Sequence, residues 1–408
     1  MFPITRPTFI LAVFIYGIYA LIMPPYGHNY DMGCWADWAA YIYQHGLSNA
    51  YNSTANYLPG HIYELKLYTL LFNSKEEVIS NIYYLKYFSL VFDVAGALMV
   101  ASLVINELTQ KLVLMAVLLN PSYLHNTMIW GQFDSVYSCI VFASFLSIYN
   151  KKFLLGVILF IISLNFKLQA IIFLPPLTLF MIYRYDKPLH IKNLLTGVGA
   201  VILTQLLILL PFLHDNNPLK ILTIVRGLGG ENGYISLEAA NIWQFLMQGN
   251  LRWTGDVALF QGITLKKWGL VMYCIALFIS LFPFLRNLYR NFILKIKVII
   301  SIDKILIMFS LSALCFFYFN TQMHERYSYP AFLFIAAYGV ISGSLWIYGL
   351  FSLAYFLNAD KFMECIRKIN YKSSLFDLHI ISYFFLATII CLVLKLYLNS
   401  QVKKDNPA

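Results

Sequence analysis

Three charged residues, His324, Glu325 and Arg326, stand side by side in NTQMHERY (Asn320 to Tyr327), between the apolar runs ILIMFSLSALCFFYF and PAFLFIAAYGVISGSLWIYGL. Taken alone, the triplet can be a local ion pair that closes a loop. Other polar residues share its setting between oily runs. Asp31 and Asp37 lie in YDMGCWADWAAYIYQHGLSNAY, Asp134 in WGQFDS, Lys167 in LNFKLQA and Arg226 in IVRGLGGENGY. A carboxylate such as Asp31 set among separated cations (Lys167, Arg326, Arg226 and a protonated His324) suits chemistry on an anionic headgroup carried by a lipid. The carboxylate would take a proton from an attacking hydroxyl, and the cations would stabilise a departing phosphate. Blander roles compete: a helix N-cap for Asp31 and Asp134, a solvated surface for Asp37, and snorkelling for Lys167.

The elements that must position these residues are membrane helices. The chain has 408 residues, 60% hydrophobic and 12% charged, and its apolar residues come in runs of about twenty, enough for a helix to cross a bilayer core. The run from Thr8 to Met23 is followed by Pro24-Pro25 and not by a small-residue cleavage site, so it reads as a retained first helix. Further spans are expected at about residues 81–105, 111–124, 130–149, 153–166, 168–183, 194–213, 267–285, 303–320, 328–357 and 376–398, about eleven in all. One all-α membrane domain over 1–408 is expected, with a first outer loop at 24–80 and a large outer loop at 214–265.

Simple alternation of these spans puts Lys151-Lys152, then Arg184, Lys187 and Lys192, then Arg286, Arg290, Lys295 and Lys297, then Lys361, Arg367, Lys368 and Lys372 on one face. That face is cytoplasmic by the positive-inside rule, and the net charge of +10 is accounted for by topology, not by a nucleic-acid partner. The opposite face collects the distinctive polar residues, which are costly at membrane depth and mark sites or pathways. In the first outer loop, Met32, Trp35, Trp38, Ala39, Ile42 and Tyr43 recur at helical spacing, which predicts an interfacial helix with its aromatics at headgroup level; Pro59-Gly60 predicts a turn into a second one. The six cysteines have no metal or redox spacing and read as inert small hydrophobes. The glycines after Arg226 lack the GK[ST] of a phosphate loop.

The order of these motifs resembles the integral-membrane GT-C glycosyltransferases. Asp31 with Trp38 seven residues later, NPSYLHNTMIWGQFDSV, LNFKLQAIIFLPP, RGL followed by AANIWQF, and QMHERY look most like the dolichyl-phosphate-glucose alpha-glucosyltransferases and their bacterial mannosyltransferase-like relatives. Tyr30 stands where that pattern has Gly before the acid, and Leu168 separates Lys167 from Gln169. The resemblance implies a GT-C-like helix bundle that moves a hexose, with inversion, from a polyprenyl-phosphate sugar to a hydroxyl of a glycan or lipid-linked glycan on the non-cytoplasmic face. Asp31 would be the general base, with Asp37 in reserve. Lys167, His324, Arg326 and Arg226 would bind the donor phosphate, Glu325 would orient His324 or Arg326, and Trp130, Gln132, Asp134, Asn241 and Trp243 would line or support the pocket. No metal is required, although Asp31, Asp37 and Asp134 are potential oxygen ligands for Mg2+ or Mn2+. The expected setting is a bacterial inner membrane with the site facing the periplasm, in the assembly of a cell-envelope glycan. A lipid-linked sugar flippase would place its charges at the membrane midplane in broken helices. An O-antigen-type polymerase or ligase would use a similar donor but transfer a whole glycan.

Overall fold

The computed structural model describes residues 2–184, 191–213, 217–227, 233–296, 298–366 and 368–398. The chain is 74% helical with almost no sheet, so the all-α expectation holds. Among the described residues, five helices are individually long and apolar enough to cross a bilayer: Ile82–Ala101, Leu195–Phe212, Leu265–Phe292, Ile302–Phe319 and Leu378–Leu398. A sixth candidate is the pair Glu107–Leu118 and Pro121–Trp130, bent by 57°. The expected eleven is not reached by this measure, because Arg6–Leu21, Asp134–Tyr149, Phe153–Phe166, Leu168–Arg184 and Tyr329–Ser342 are apolar but shorter. Long apolar helices in this number fit a multi-pass membrane protein.

The chain divides into two compact units, Met1–Gly233 with Ala359–Ile369, and Tyr234–Asn358 with Asn370–Ala408. In the first unit, Arg6–Leu21 begins with the Thr5 hydroxyl accepting from the Thr8 amide, and Pro7 sits in its first turn, where no backbone donor is missed. Buried Gln110 accepts from the Thr5 amide and donates to the carbonyls of Pro3 and Val104, which ties the chain's start to the following helices.

The segment expected as the first outer loop folds into helices Asn29–His45, Pro59–Thr69 and Lys75–Ser80. The helical spacing in the first of these is real, and its aromatic face is covered by protein rather than lipid. Trp35 and Trp38 are 2% and 4% exposed, packed in a protein core with Ile62, Leu65, Tyr68, Val78, Phe133, Val136 and Ile140. An amphipathic pattern states that a face is covered but not by what. Helix Asn217–Gly227 joins this core through Ile221 and Ile224, and Lys220 donates to the carbonyls of Tyr51 and Ser53.

In the second unit, Ile302–Phe319 is buried along most of its length. The segment Tyr234–Thr264 adds short strands, of which Ser236–Leu237 pairs in parallel with Met323–His324. The run at 328–357, expected as one tilted span or as a span plus an interfacial piece, is two helices, Tyr329–Ser342 and Leu345–Met363. Gly343 separates them at φ +71, a left-handed conformation that ends helices readily only without a Cβ.

That break overturns the placement of Lys361 with the cytoplasmic loops. In the first unit, Asp360 meets His125, and the Phe362 ring stacks 5.0 Å from Trp130, so the end of helix Leu345–Met363 lies where Asp31 lies. Lys151 and Lys152 occupy the opposite end of helices Asp134–Tyr149 and Phe153–Phe166. Lys187, Lys297 and Arg367 and the glycine-rich residues 228–232 lie outside the described residues. With single cysteines introduced one at a time, Tyr26→Cys and Glu364→Cys should react with a membrane-impermeant maleimide from one side and Lys152→Cys from the other. Labelling of positions 364 and 152 from the same side would refute this topology.

Candidate functional site

The turn after Pro121 is built for contact rather than for regular hydrogen bonding. Asn120 caps it by accepting from the Ser122 amide, and residues His125–Trp130 form a π-helix that ends at Gly131. Single π-turns of this kind concentrate at functional positions. Here the turn directs two donors at one carboxylate: Trp130 Nε1 lies 2.8 Å and Gln132 Nε2 2.6 Å from Asp31 Oδ2. His28 Nδ1 approaches the same oxygen at 3.2 Å. Trp130 and Gln132 are buried, whereas the Asp31 side chain keeps 15% of its surface. Asp31 is therefore a positioned carboxylate with an open side. It is not a cap, since the residue before the helix is His28, which makes no side-chain cap bond.

Backbone contacts lock the arrangement. The His28 amide donates to the Trp130 carbonyl at 2.8 Å. A Cβ on Gly27 would come 2.5 Å from that carbonyl oxygen, so only glycine allows the two strands of chain to approach this closely. Fully buried Lys86 donates to the carbonyls of Pro24 and Tyr26, at 2.7 and 2.6 Å, and pins the segment leading into Asp31. Sequence reasoning passed over Lys86; a lysine inside an otherwise apolar span was its only available signal. Asp37, one and a half turns beyond Asp31, is exposed.

Lys167 does not stand free for a phosphate. Its ammonium pairs with Asp134 and lies 5.6 Å from the Tyr137 ring centroid, and the Asp134 carboxylate also accepts from Asn126 Nδ2 at 3.1 Å. Asp134 is the first residue of helix Asp134–Tyr149, and the N-cap position before it is Phe133. Both sequence-level alternatives, capping and snorkelling, give way to a buried ion pair that joins two turns. Such a pair costs a great deal to break from one side only. Arg226 is exposed near the end of helix Asn217–Gly227, which is docked on the first outer loop.

In the second unit, NTQMHERY is a self-paired turn. Glu325 is 1% exposed, Arg326 Nη1 lies 2.9 Å from its Oε1, and His324 Nδ1 lies 3.7 Å from its Oε2. Burial pushes the Glu325 carboxyl up, but the His324 hydrogen bond and the charges of Arg326 and His324 outweigh it and hold the group below the ordinary carboxylate range. Asp256, also buried, accepts from Thr321 Oγ1 and Gln322 Nε2 at 3.1 and 2.7 Å and fixes the turn's start.

Asn241 and Trp243 are buried at 0% and 2% and do not line an opening. Asn241 Nδ2 donates to the carbonyls of Phe317 and Asn320, and Trp243 Nε1 to that of Phe319. They satisfy the carbonyls that a helix leaves unpaired at its C-terminus, here that of Ile302–Phe319. Support is therefore their role in the second unit, as Trp130 and Gln132 give support in the first.

Asp31, Asp37 and Asp134 do not form a metal-ligand group. Among the described residues, the group with suitable atoms together is His125, Asp360 and Cys365. Burial, then the hydrogen bond to Asp360 and its charge, push the Cys365 thiol up to about 12. Compared with known proteins, the chain matches no family model and no curated protein.

Two consequences are measurable. Gly27→Ala should destabilise the protein by about 1–3 kcal/mol in thermal or denaturant unfolding in detergent, since backbone must move to admit the methyl group; unchanged stability would contradict the close approach. Glu325 has a folded pKa below its unfolded one, so its stabilising effect is complete above the unfolded value of about 4.3 and is lost as pH falls from there through the lower folded value. Glu325→Gln should flatten the acid limb of the stability profile over that window, and a limb as steep as in wild type would remove Glu325 as its source.

Proposed function

We propose that the chain is an inverting glycosyltransferase of the GT-C type that moves a hexose from a polyprenyl-phosphate sugar to an acceptor hydroxyl, and that Asp31 is its general base. The observation carrying this reading is the carboxylate itself. One oxygen is fixed by Trp130 and Gln132 from the WGQ turn, while part of the group stays open beside His28. The two motifs that join here are two of those on which the family resemblance rests.

Chemically, the acceptor's hydroxyl proton goes to Asp31 as the new bond to the anomeric carbon forms, and the polyprenyl phosphate leaves from the opposite face with the bonding pair. Attack and departure on opposite faces invert the centre in one displacement, without a sugar-enzyme intermediate. Donation from Trp130 and Gln132 holds the carboxylate oriented before the acceptor arrives, so little reorganisation is left for the reaction itself. The displacement needs no metal.

By the same reading, binding of the donor phosphate falls in the first unit to Arg226, which is exposed, whereas His324 and Arg326 of the second unit are matched by Glu325. Lys167, neutralised by Asp134, instead holds the WGQFDS turn in place. Hexose identity and acceptor are left to the glycan-assembly class in general, mannose and glucose donors first among them. A multi-pass protein of a bacterial inner membrane, acting at the periplasmic face on a cell-envelope glycan, fits the length and the apolar helices.

Purified protein supplied with a panel of polyprenyl-phosphate hexoses and a cell-envelope acceptor extract should release free polyprenyl phosphate from one of them. Asp31→Asn retains an oxygen to accept from Trp130 and Gln132 but not the base, so release should fall by roughly 10²–10⁴-fold at an unchanged thermal midpoint. Asp37→Asn should behave as wild type. Equal release by wild type and Asp31→Asn would sink the assignment.

A further inference from the structure

The cluster of His125, Asp360 and Cys365 takes no part in that chemistry, yet it gathers three different metal-ligating groups in one buried place. We propose that these three side chains bind a divalent cation of the zinc type and that the ion braces the turn that positions Asp31.

The ligand atoms of all three lie within 4.8 Å of one another. His125 Nε2 is 3.4 Å from Asp360 Oδ1 and 4.0 Å from Cys365 Sγ, and the Cys365 thiol hydrogen-bonds Asp360 Oδ1. Bonds of about 2.0–2.3 Å in a tetrahedron place neighbouring ligand atoms about 3.3–3.8 Å apart, so small rotations of side chains close the observed group around an ion. The donor set is selective. One thiolate, one imidazole and one carboxylate suit zinc, and an all-oxygen preference such as that of Mg2+ or Ca2+ is poorly served. His125 and Asp360 are buried, whereas Cys365 is half-buried, so the ion enters past Cys365 and water completes its fourth position. As the ion binds, the thiol proton now shared with Asp360 leaves to solvent, and the sulfur and both Asp360 and His125 turn to the metal.

The consequence lies five residues along the same π-helix. His125 opens the turn that ends in Trp130, the donor to Asp31, and Asp360 lies two residues before Phe362 on the helix whose Phe362 ring stacks on Trp130. A metal bond between His125 and Asp360 would clamp both contacts with Trp130 at once. This inference stands on the ligand geometry and does not depend on the glycosyl-transfer reading.

The intact protein, purified in detergent without chelator and dialysed, should carry about one zinc per chain by elemental analysis. Cobalt(II) added to chelator-stripped protein should give a sulfur-to-cobalt charge-transfer band that is lost in Cys365→Ser. Should that variant fail to fold, wild type supplies the control: zinc should slow alkylation of Cys365 at least tenfold while leaving the other five cysteines unaffected, and should raise the thermal midpoint. Zinc well below stoichiometric, no thiolate band, and alkylation of Cys365 indifferent to zinc would overturn the proposal and leave a hydrogen-bonded triad.

Discussion

The carboxylate of Asp31 depends on a contact between two stretches of chain that have no local reason to meet. The segment from Pro24 to Asp31 is led to the His125–Trp130 turn by a backbone hydrogen bond from His28, by the side chain of Lys86 on the carbonyls of Pro24 and Tyr26, and by the missing Cβ of Gly27. Only then do Trp130 and Gln132 reach Asp31. Because the donors are buried, the arrangement cannot relax by borrowing water, and removing the carboxylate would orphan two donors at a cost of about 1–3 kcal/mol each. A carboxylate held this way is oriented by the fold alone.

Charge neutralisation governs most of the remaining polar residues. Lys167 is matched by Asp134, Arg326 and His324 by Glu325, and Lys86 by two carbonyl dipoles. In an interior of low polarity an ionic group is stable only with such partners, so each pair also joins two pieces of backbone. The same demand acts on uncharged groups. Asn241 and Trp243 serve the end of helix Ile302–Phe319, and Asp256 serves the side chains of Thr321 and Gln322. Residues that look like a pocket lining when read in a row become, in the fold, the bonding partners of helix ends.

The glycine at 343 has a wider effect than its size suggests. By ending one helix it allows a second to begin at Leu345 and to deliver Asp360, Phe362 and Cys365 to the end of the first unit where Asp31 lies. Read as a single span, the same residues would have been sent to the opposite face, with Lys361 among the cytoplasmic cations.

Run length and periodicity made the all-α class and the helices of residues 24–80 legible in the sequence, because these depend on residues close together in the chain; Asp31 is singled out by the cations elsewhere in the sequence and by the order of motifs in the family resemblance. They also gave the self-pairing of His324, Glu325 and Arg326 as a possibility, since neighbours in sequence are neighbours in space. Tertiary structure alone decided the rest. Trp130 and Gln132 are 99 and 101 residues from Asp31, Asp134 is 33 from Lys167, and His125 is 235 from Asp360. Which donor a buried carboxylate meets, and whether an amphipathic face is covered by lipid or by protein, follows from how the helices pack. No local pattern encodes that, because the free energy of each contact is gained only after the chain has been folded back upon itself.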